Sequence, residues 1–174
     1  KLPYTYSLTT VYEKLGLCYH GASKYFQAID NYTKGIDVAL KRKDKRKAAT
    51  FYLNLGALYN TLPDYAKSLE ANQVAVGLYN ELKDNNYISS CYMNIGTTYQ
   101  QLKQFAKAVE FIEKAMLVFK TQVAPNLPIG INYGTAIANK ALGNIYAEVS
   151  DAEAKQLTKN SNVGSTAVAF EYLN

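Results

Sequence analysis

The sequence predicts an all-α chain, a solenoid of stacked antiparallel helix pairs, and three observations carry that expectation. One phrase recurs at a fixed forty-residue step: Tyr12, Leu15, Gly16, Tyr19; then Tyr52, Leu55, Gly56, Tyr59; then Tyr92, Ile95, Gly96, Tyr99. Self-similarity at periods of roughly 20 to 50 residues marks stacked-repeat architectures. Around each phrase, apolar residues return at three- and four-residue steps, the spacing of one helix face. With 48% hydrophobic and 19% charged residues over 174 positions, the chain is ordered and long enough to bury a core.

Taken in order, the first unit has a stripe through Val11, Tyr12, Leu15, Gly16 and Tyr19, broken at His20-Gly21-Ala22-Ser23. A second stripe runs through Tyr25, Phe26, Ala28, Ile29, Tyr32, Ile36 and Ala39 and ends in the charged segment 41–47. The second unit pairs residues 47–62 with 65–82 across a turn at Pro63-Asp64, and ends near Lys83-Asp84-Asn85-Asn86. Pro63 suits a helix start, where its missing N–H is not needed. The third unit pairs 87–102 with 105–121. A fourth copy, Leu142-Gly143-x-x-Tyr146, lies 47 residues after Gly96, displaced by seven extra residues within 121–130. Its second helix is expected over 151–159, with Lys155 where a small residue belongs.

These units make one domain over 1–174, with repeats at about 9–46, 49–86, 89–122 and 136–160. Residues 161–174 read as a capping helix or the start of a fifth repeat. Tyr172-Leu173-Asn174 stands three periods after Tyr52-Leu53-Asn54, which favours an interrupted repeat. The chain opens at Lys1 without Met, pointing to a piece of a longer protein.

The glycines predict close packing. A mid-helix Gly costs about 1 kcal/mol against Ala, so Gly16, Gly56 and Gly96 at one phase imply a neighbour that leaves no room for a side chain. Ala28, Ser68 and Ala108 are the expected small partners. Tyr12, Tyr52 and Tyr92 then wedge between paired helices, and Tyr19, Tyr59 and Tyr99 fill the next layer.

Composition removes several functions. The net charge of +5 resides entirely in 41–47, with six bases and one acid; the other 13 bases and 13 acids balance. A general nucleic-acid footprint is therefore not expected, and the run reads as a solvated turn between repeats. No apolar run reaches membrane-spanning length and no signal segment opens the chain, so no membrane insertion is expected. Cys18 and Cys91 read as core fillers, which mildly favours a reducing, cytoplasmic location. A single His and the absence of a nucleophile–base pair or carboxylate cluster argue against a metal, a cofactor or an enzyme.

The pattern resembles the tetratricopeptide repeat, whose fold is a right-handed α-solenoid. The resemblance rests on Tyr12, Leu15, Gly16, Tyr19, Ala28, Tyr32 and Gly35; on Tyr52, Leu55, Gly56, Tyr59, Ser68, Asn72 and Ala75; and on Tyr92, Ile95, Gly96, Tyr99, Ala108, Ile112 and Ala115. Gly35 and Asn72 are weak matches. The forty-residue period is similar to the long-helix subclass of kinesin light chains, G-protein-regulator polarity scaffolds and bacterial peptide-pheromone receptors.

That resemblance implies a protein or peptide partner bound along the concave face of the first helices. Asn54 and Asn94, just before Leu-Gly and Ile-Gly, stand where an Asn often grips a peptide backbone in the subclass. A side-chain amide offers both donor and acceptor for that purpose. Both could equally be ordinary solvated residues, and the sequence leaves the two readings open. Helical spacing adds Glu13 and Leu17, with His20 at the helix end; Thr50, Leu53, Ala57 and Asn60; Ser90, Met93, Thr97 and Gln101; and Lys140 and Asn144. The family's chaperone-tail clamp grips a terminal carboxylate with Lys, Asn and Arg. Here Glu13, Leu17, Ser90 and Asn94 occupy those places and only Asn54 fits, so clamp function is not expected. The alternative role is a ligand-sensing or regulatory segment of a larger signalling protein, such as a kinase or transcription regulator. Self-association through an uncapped end is also allowed for.

Overall fold

The computed structural model describes residues 7–85, 87–121 and 133–160, and these hold eight α-helices and no strand. Residues 1–84 form one unit, with α1 (Leu8–Gly21), α2 (Tyr25–Lys41), α3 (Lys45–Thr61) and α4 (Tyr65–Glu81). Residues 85–174 form a second, with α5 (Ile88–Gln101), α6 (Phe105–Thr121), α7 (Tyr133–Glu148) and α8 (Asp151–Asn160). The starts of α2, α4 and α6 are forty residues apart, as are their ends. The expected segment 161–174 and most of the seven-residue insertion lie outside the described residues.

One turn geometry repeats. The amides of Lys24, Asp44, Asp64, Asp84 and Gln104 donate to the carbonyls of Tyr19, Ala39, Tyr59, Tyr79 and Tyr99 at 2.8–3.0 Å. This six-to-one bond closes a helix end through one left-handed residue. Glycine usually fills that place, yet here it is Ser23, Lys43, Pro63, Lys83 and Lys103. The break expected at 20–23 falls within that segment: α1 ends at Gly21, and Ala22 and Ser23 make the turn. Pro63 likewise sits in the turn, not at a helix start. Without an N–H it forgoes the companion bond seen from Ser23 to His20 at 2.9 Å. Asp44 and Asp64 then cap α3 and α4, accepting from the amides of Lys47 (3.0 Å) and Lys67 (3.3 Å). Ser150 and Glu153 form a reciprocal capping box at the start of α8.

The first unit's core joins Ala28, Tyr32 and Ile36 of α2 to Phe51, Leu55 and Leu58 of α3 and Ala71 of α4. Tyr12, Tyr19, Tyr52 and Tyr59 pack around it, half-buried, in the structural role their spacing suggested. The second core joins Ala108, Val109, Ile112 and Met116 of α6 to Ala138, Leu142, Ile145 and Tyr146 of α7. Ala154 of α8 completes it, one position before Lys155, so the small residue expected at 155 is present with the register moved by one.

The repeated glycines do mark close approaches, with different partners. A Cβ on Gly16 would stand 2.2 Å from the Tyr32 ring, one on Gly56 2.2 Å from Asn72 Nδ2, and one on Gly96 2.7 Å from Ile112. Ala28, Ser68 and Ala108 are fully buried, yet the residues four later make the tightest approach. Ser68 still meets its glycine, donating from Oγ to the Gly56 carbonyl at 2.9 Å, and the Ala108 carbonyl oxygen lies 3.2 Å from a Gly96 Cβ. The weak match Asn72 is thereby explained: its amide fills the space that Gly56 leaves and donates to the Ser68 carbonyl at 2.8 Å. Gly35 is explained as well, since a Cβ there would meet the Phe51 ring at 2.2 Å.

Several stripe residues are not buried. Phe26 is 85% exposed, on the side of α2 away from the core. Val11, Leu15 and Cys18 are exposed on α1, where no helix among the described residues covers the side opposite α2. Cys91 is buried as expected.

Candidate functional site

Each unit places two first helices side by side, α1 with α3 and α5 with α7. In the first unit this strip carries Glu13 and Leu17 of α1 beside Thr50, Leu53, Asn54, Ala57 and Asn60 of α3. In the second it carries Ser90, Met93, Asn94, Thr97 and Gln101 of α5 beside Lys140 and Asn144 of α7.

Several of these side chains are already engaged within the fold. Glu13 pairs with Lys47 Nζ at 2.5 Å, tying α1 to α3. Thr50 Oγ1 donates to the Arg46 carbonyl at 3.0 Å and lies 3.1 Å from the Tyr79 hydroxyl, tying α3 to α4. Met93 packs on the second core, and Thr97 donates back to the Met93 carbonyl at 2.9 Å. His20 is half-buried, its ring edge-on to Tyr25 at 6.2 Å. Leu53, Asn54, Ala57 and Ser90 are half-buried, whereas Leu17, Gln101, Lys140 and Asn144 are exposed. The Asn60 side-chain oxygen is buried without a hydrogen-bond partner among the described residues.

An ion pair crosses each strip. In the second unit Glu148 of α7 pairs with Lys103 and accepts from Gln100 Nε2 at 2.8 Å. Those two contacts, Lys103 first, hold its carboxyl below the usual carboxylate range. In the first unit Glu13 and Lys47 neutralise each other. Beside them the Tyr32 hydroxyl is buried and has no described partner. Burial, and then the Glu13 charge, push it up to about 12, so it stays neutral at physiological pH.

Residues 47–121 match the family model of the tetratricopeptide repeat. That stretch is a run of tetratricopeptide repeats. Solved structures agree at the level of fold, an all-α solenoid. BtubC (BKLC) from P. vanneervenii is 19% identical with a TM-score of 0.70, over 95% of this chain and 64% of that one. The N-terminal domain of stress-induced protein-1 (STI-1) from C. elegans is 18% identical with a TM-score of 0.58, over 79% of this chain and 98% of that one. No curated protein matches the sequence.

The basic run 41–47 is not a free turn. Helix α3 begins at Lys45, two residues earlier than its stripe suggested, so Lys45, Arg46 and Lys47 form its first turn. Bases there oppose the helix dipole, and acids from α1, α4 and the turn after α4 offset them. Lys45 pairs with Glu81 at 2.6 Å, Arg46 with the buried Asp84, and Lys47 with Glu13. Arg42 donates to Ser7 Oγ at 3.0 Å. Sequence reasoning missed Lys47, Tyr79 and Tyr32 as members of the strip's polar floor. Opposite charges at Glu13 and Lys47 were the one available signal, and 34 residues of separation do not by themselves place them together. Among the described residues no group of His, Cys, Asp or Glu could hold a metal, and no helix is long and apolar enough to cross a membrane.

Proposed function

We propose that this chain is a non-catalytic interaction module that binds an extended peptide segment of a partner along its first-helix strips. Tetratricopeptide repeats are in general protein–protein interaction modules, and the finer reading rests chiefly on Asn54. Its side chain is half-buried on the strip of α3 and makes no hydrogen bond with the described residues. A side-chain amide in that state can pair with a peptide N–H and C=O at once, whatever side chain the peptide carries. The neighbouring groups are neutral or neutralised, since Glu13 is held by Lys47 and Thr50 by Arg46 and Tyr79. That supports a partner recognised through its backbone and a few apolar anchors at Leu17 and Leu53 rather than through a terminal carboxylate. The forty-residue spacing of helix starts supports the long-period subclass.

The test is a pull-down with the unaltered chain beside an Asn54→Ala/Asn94→Ala double variant, after circular dichroism shows equal helicity. Partners retained by the first and lost from the second support backbone gripping. An identical partner set from both overturns it and moves recognition to another surface.

A further inference from the structure

Helix α4 is held to its unit by different means from α2 and α6 in theirs. Beside buried alanines, α2 buries Tyr32 and Ile36, and α6 buries Val109, Ile112 and Met116. On α4 the buried apolar side chains are Ala71, Ala75 and Tyr79. Where α2 has Ala28 and Tyr32, and α6 has Ala108 and Ile112, α4 has Ser68 and Asn72. These two are fully buried and are held by hydrogen bonds. Ser68 Oγ donates to the Gly56 carbonyl of α3 at 2.9 Å, and Asn72 Nδ2 donates to the Ser68 carbonyl at 2.8 Å. Gly77 weakens α4 further: a Cβ there would meet nothing within 4 Å, so the glycine eases no contact.

The carboxyl end of α4 is fastened mainly by charge. Glu81 pairs with Lys45 at 2.6 Å, and Asp84, just beyond the helix, pairs with Arg46. The Tyr79 hydroxyl lies 3.1 Å from Thr50 Oγ1. These contacts all reach the first two turns of α3. The ion pairs on α2 and α6, Asp30–Lys34 and Glu110–Lys114, instead lie within one helix and tie it to no neighbour. Lys45, Glu81 and Arg46 are more than half exposed, so dissolved ions reach both fastenings. The screening length falls from about 30 Å at 0.01 M salt to about 3 Å at 1 M.

We propose that α4 is a salt-sensitive strap, whose carboxyl-terminal half lifts from α3 before α2 or α6 opens when Lys45 and Arg46 are screened. Segments with few buried apolar contacts are the ones that open below the global unfolding free energy. Exposed ion pairs hold weakly and are lost to salt, whereas apolar burial is not. Opening frees the Thr50 hydroxyl, on the first strip, from Tyr79. The state of α4 therefore changes the polar groups that the strip presents, whether or not a peptide binds there.

Amide hydrogen exchange of the full chain, read by mass spectrometry at about 0.01 M and about 1 M sodium chloride, tests this. Residues 73–81 are compared with their equivalents one period away, 33–41 in α2 and 113–121 in α6. In high salt, 73–81 should exchange at least about tenfold faster than either, and at least about threefold faster than in low salt. Lys45→Met/Arg46→Met should exchange fast in both salts, because the pairs that salt screens are gone. Glu81→Gln is milder, since Asp84 keeps its partner, and should show a reduced salt response. Ser68→Ala/Asn72→Ile gives α4 the residues that α6 carries and should slow its exchange in high salt toward that of α6. Circular dichroism confirms equal helicity of each variant. The proposal is overturned if 73–81 exchange as slowly in high salt as 33–41 and 113–121. A salt response that survives intact in both charge variants also overturns it, as does a folded Ser68→Ala/Asn72→Ile chain with unslowed exchange.

Discussion

Helices α1 and α3 carry the same stripe one period apart, and their fates differ. In α3 the stripe is among the most buried surfaces of the molecule; in α1 it faces outward. Nothing in the residue types predicts this, since Leu15 and Leu55 are both leucine in the same phrase. Yet Leu15 is exposed and Leu55 lies in the core. Burial in a stacked-repeat chain belongs to the interface between repeats rather than to the repeat. Cys18 shows the same lesson: its phase made it a core filler, and the missing neighbour leaves it in solvent. The glycines divide in the same way. Gly35 stands against a ring, whereas a Cβ on Gly143 would meet nothing within 4 Å, although both belong to repeat phrases.

The sharpest test of the comparison substitutes equivalent positions. Phe51→Ala should destabilise by about 3–5 kcal/mol, because it removes a fully buried ring between α2 and α3. Val11→Ala, its counterpart on the open face, should stay within about 0.5 kcal/mol. Both are read from urea unfolding followed by circular dichroism. A large loss from Val11→Ala would break the comparison, showing the α1 stripe covered in solution. Gly35→Ala comes next, with a loss of about 1–3 kcal/mol as its methyl forces the Phe51 ring aside. Paired with Phe51→Ala it should cost little, since the ring it collides with is gone, and a double-mutant cycle reads that coupling. The smallest effect has the opposite sign. Gly143→Ala should stabilise by up to about 1 kcal/mol, because helix propensity acts there without opposition; thermal melting would show the gain. A loss at Gly143 would mean that it is packed as tightly as the other three.

Much of the helix order was legible before any coordinate. Forty-residue spacing set α2, α4 and α6 to within a residue, because three in-phase copies of a helix-period stripe leave little freedom. The turns were not legible, because Ser23, Lys43, Pro63, Lys83 and Lys103 lack the glycine that would mark a left-handed position. Strip residues could be named from helical phase alone, yet their engagement could not. Glu13 meets Lys47, and Thr50 meets Tyr79, across helices whose separation depends on packing.

By itself, then, the sequence determined periodic quantities: the helix type, the repeat length, and the glycine phase where helices must approach closely. These follow from local spacing, which a linear chain displays directly. Tertiary structure alone decided which face of each repeat is covered and which partner each glycine admits. It also turned the basic run into three ion pairs at the start of α3. Those outcomes depend on which side chains meet across an interface, and the complementarity of Gly35 with Phe51 or Gly56 with Asn72 exists only once both helices are in place.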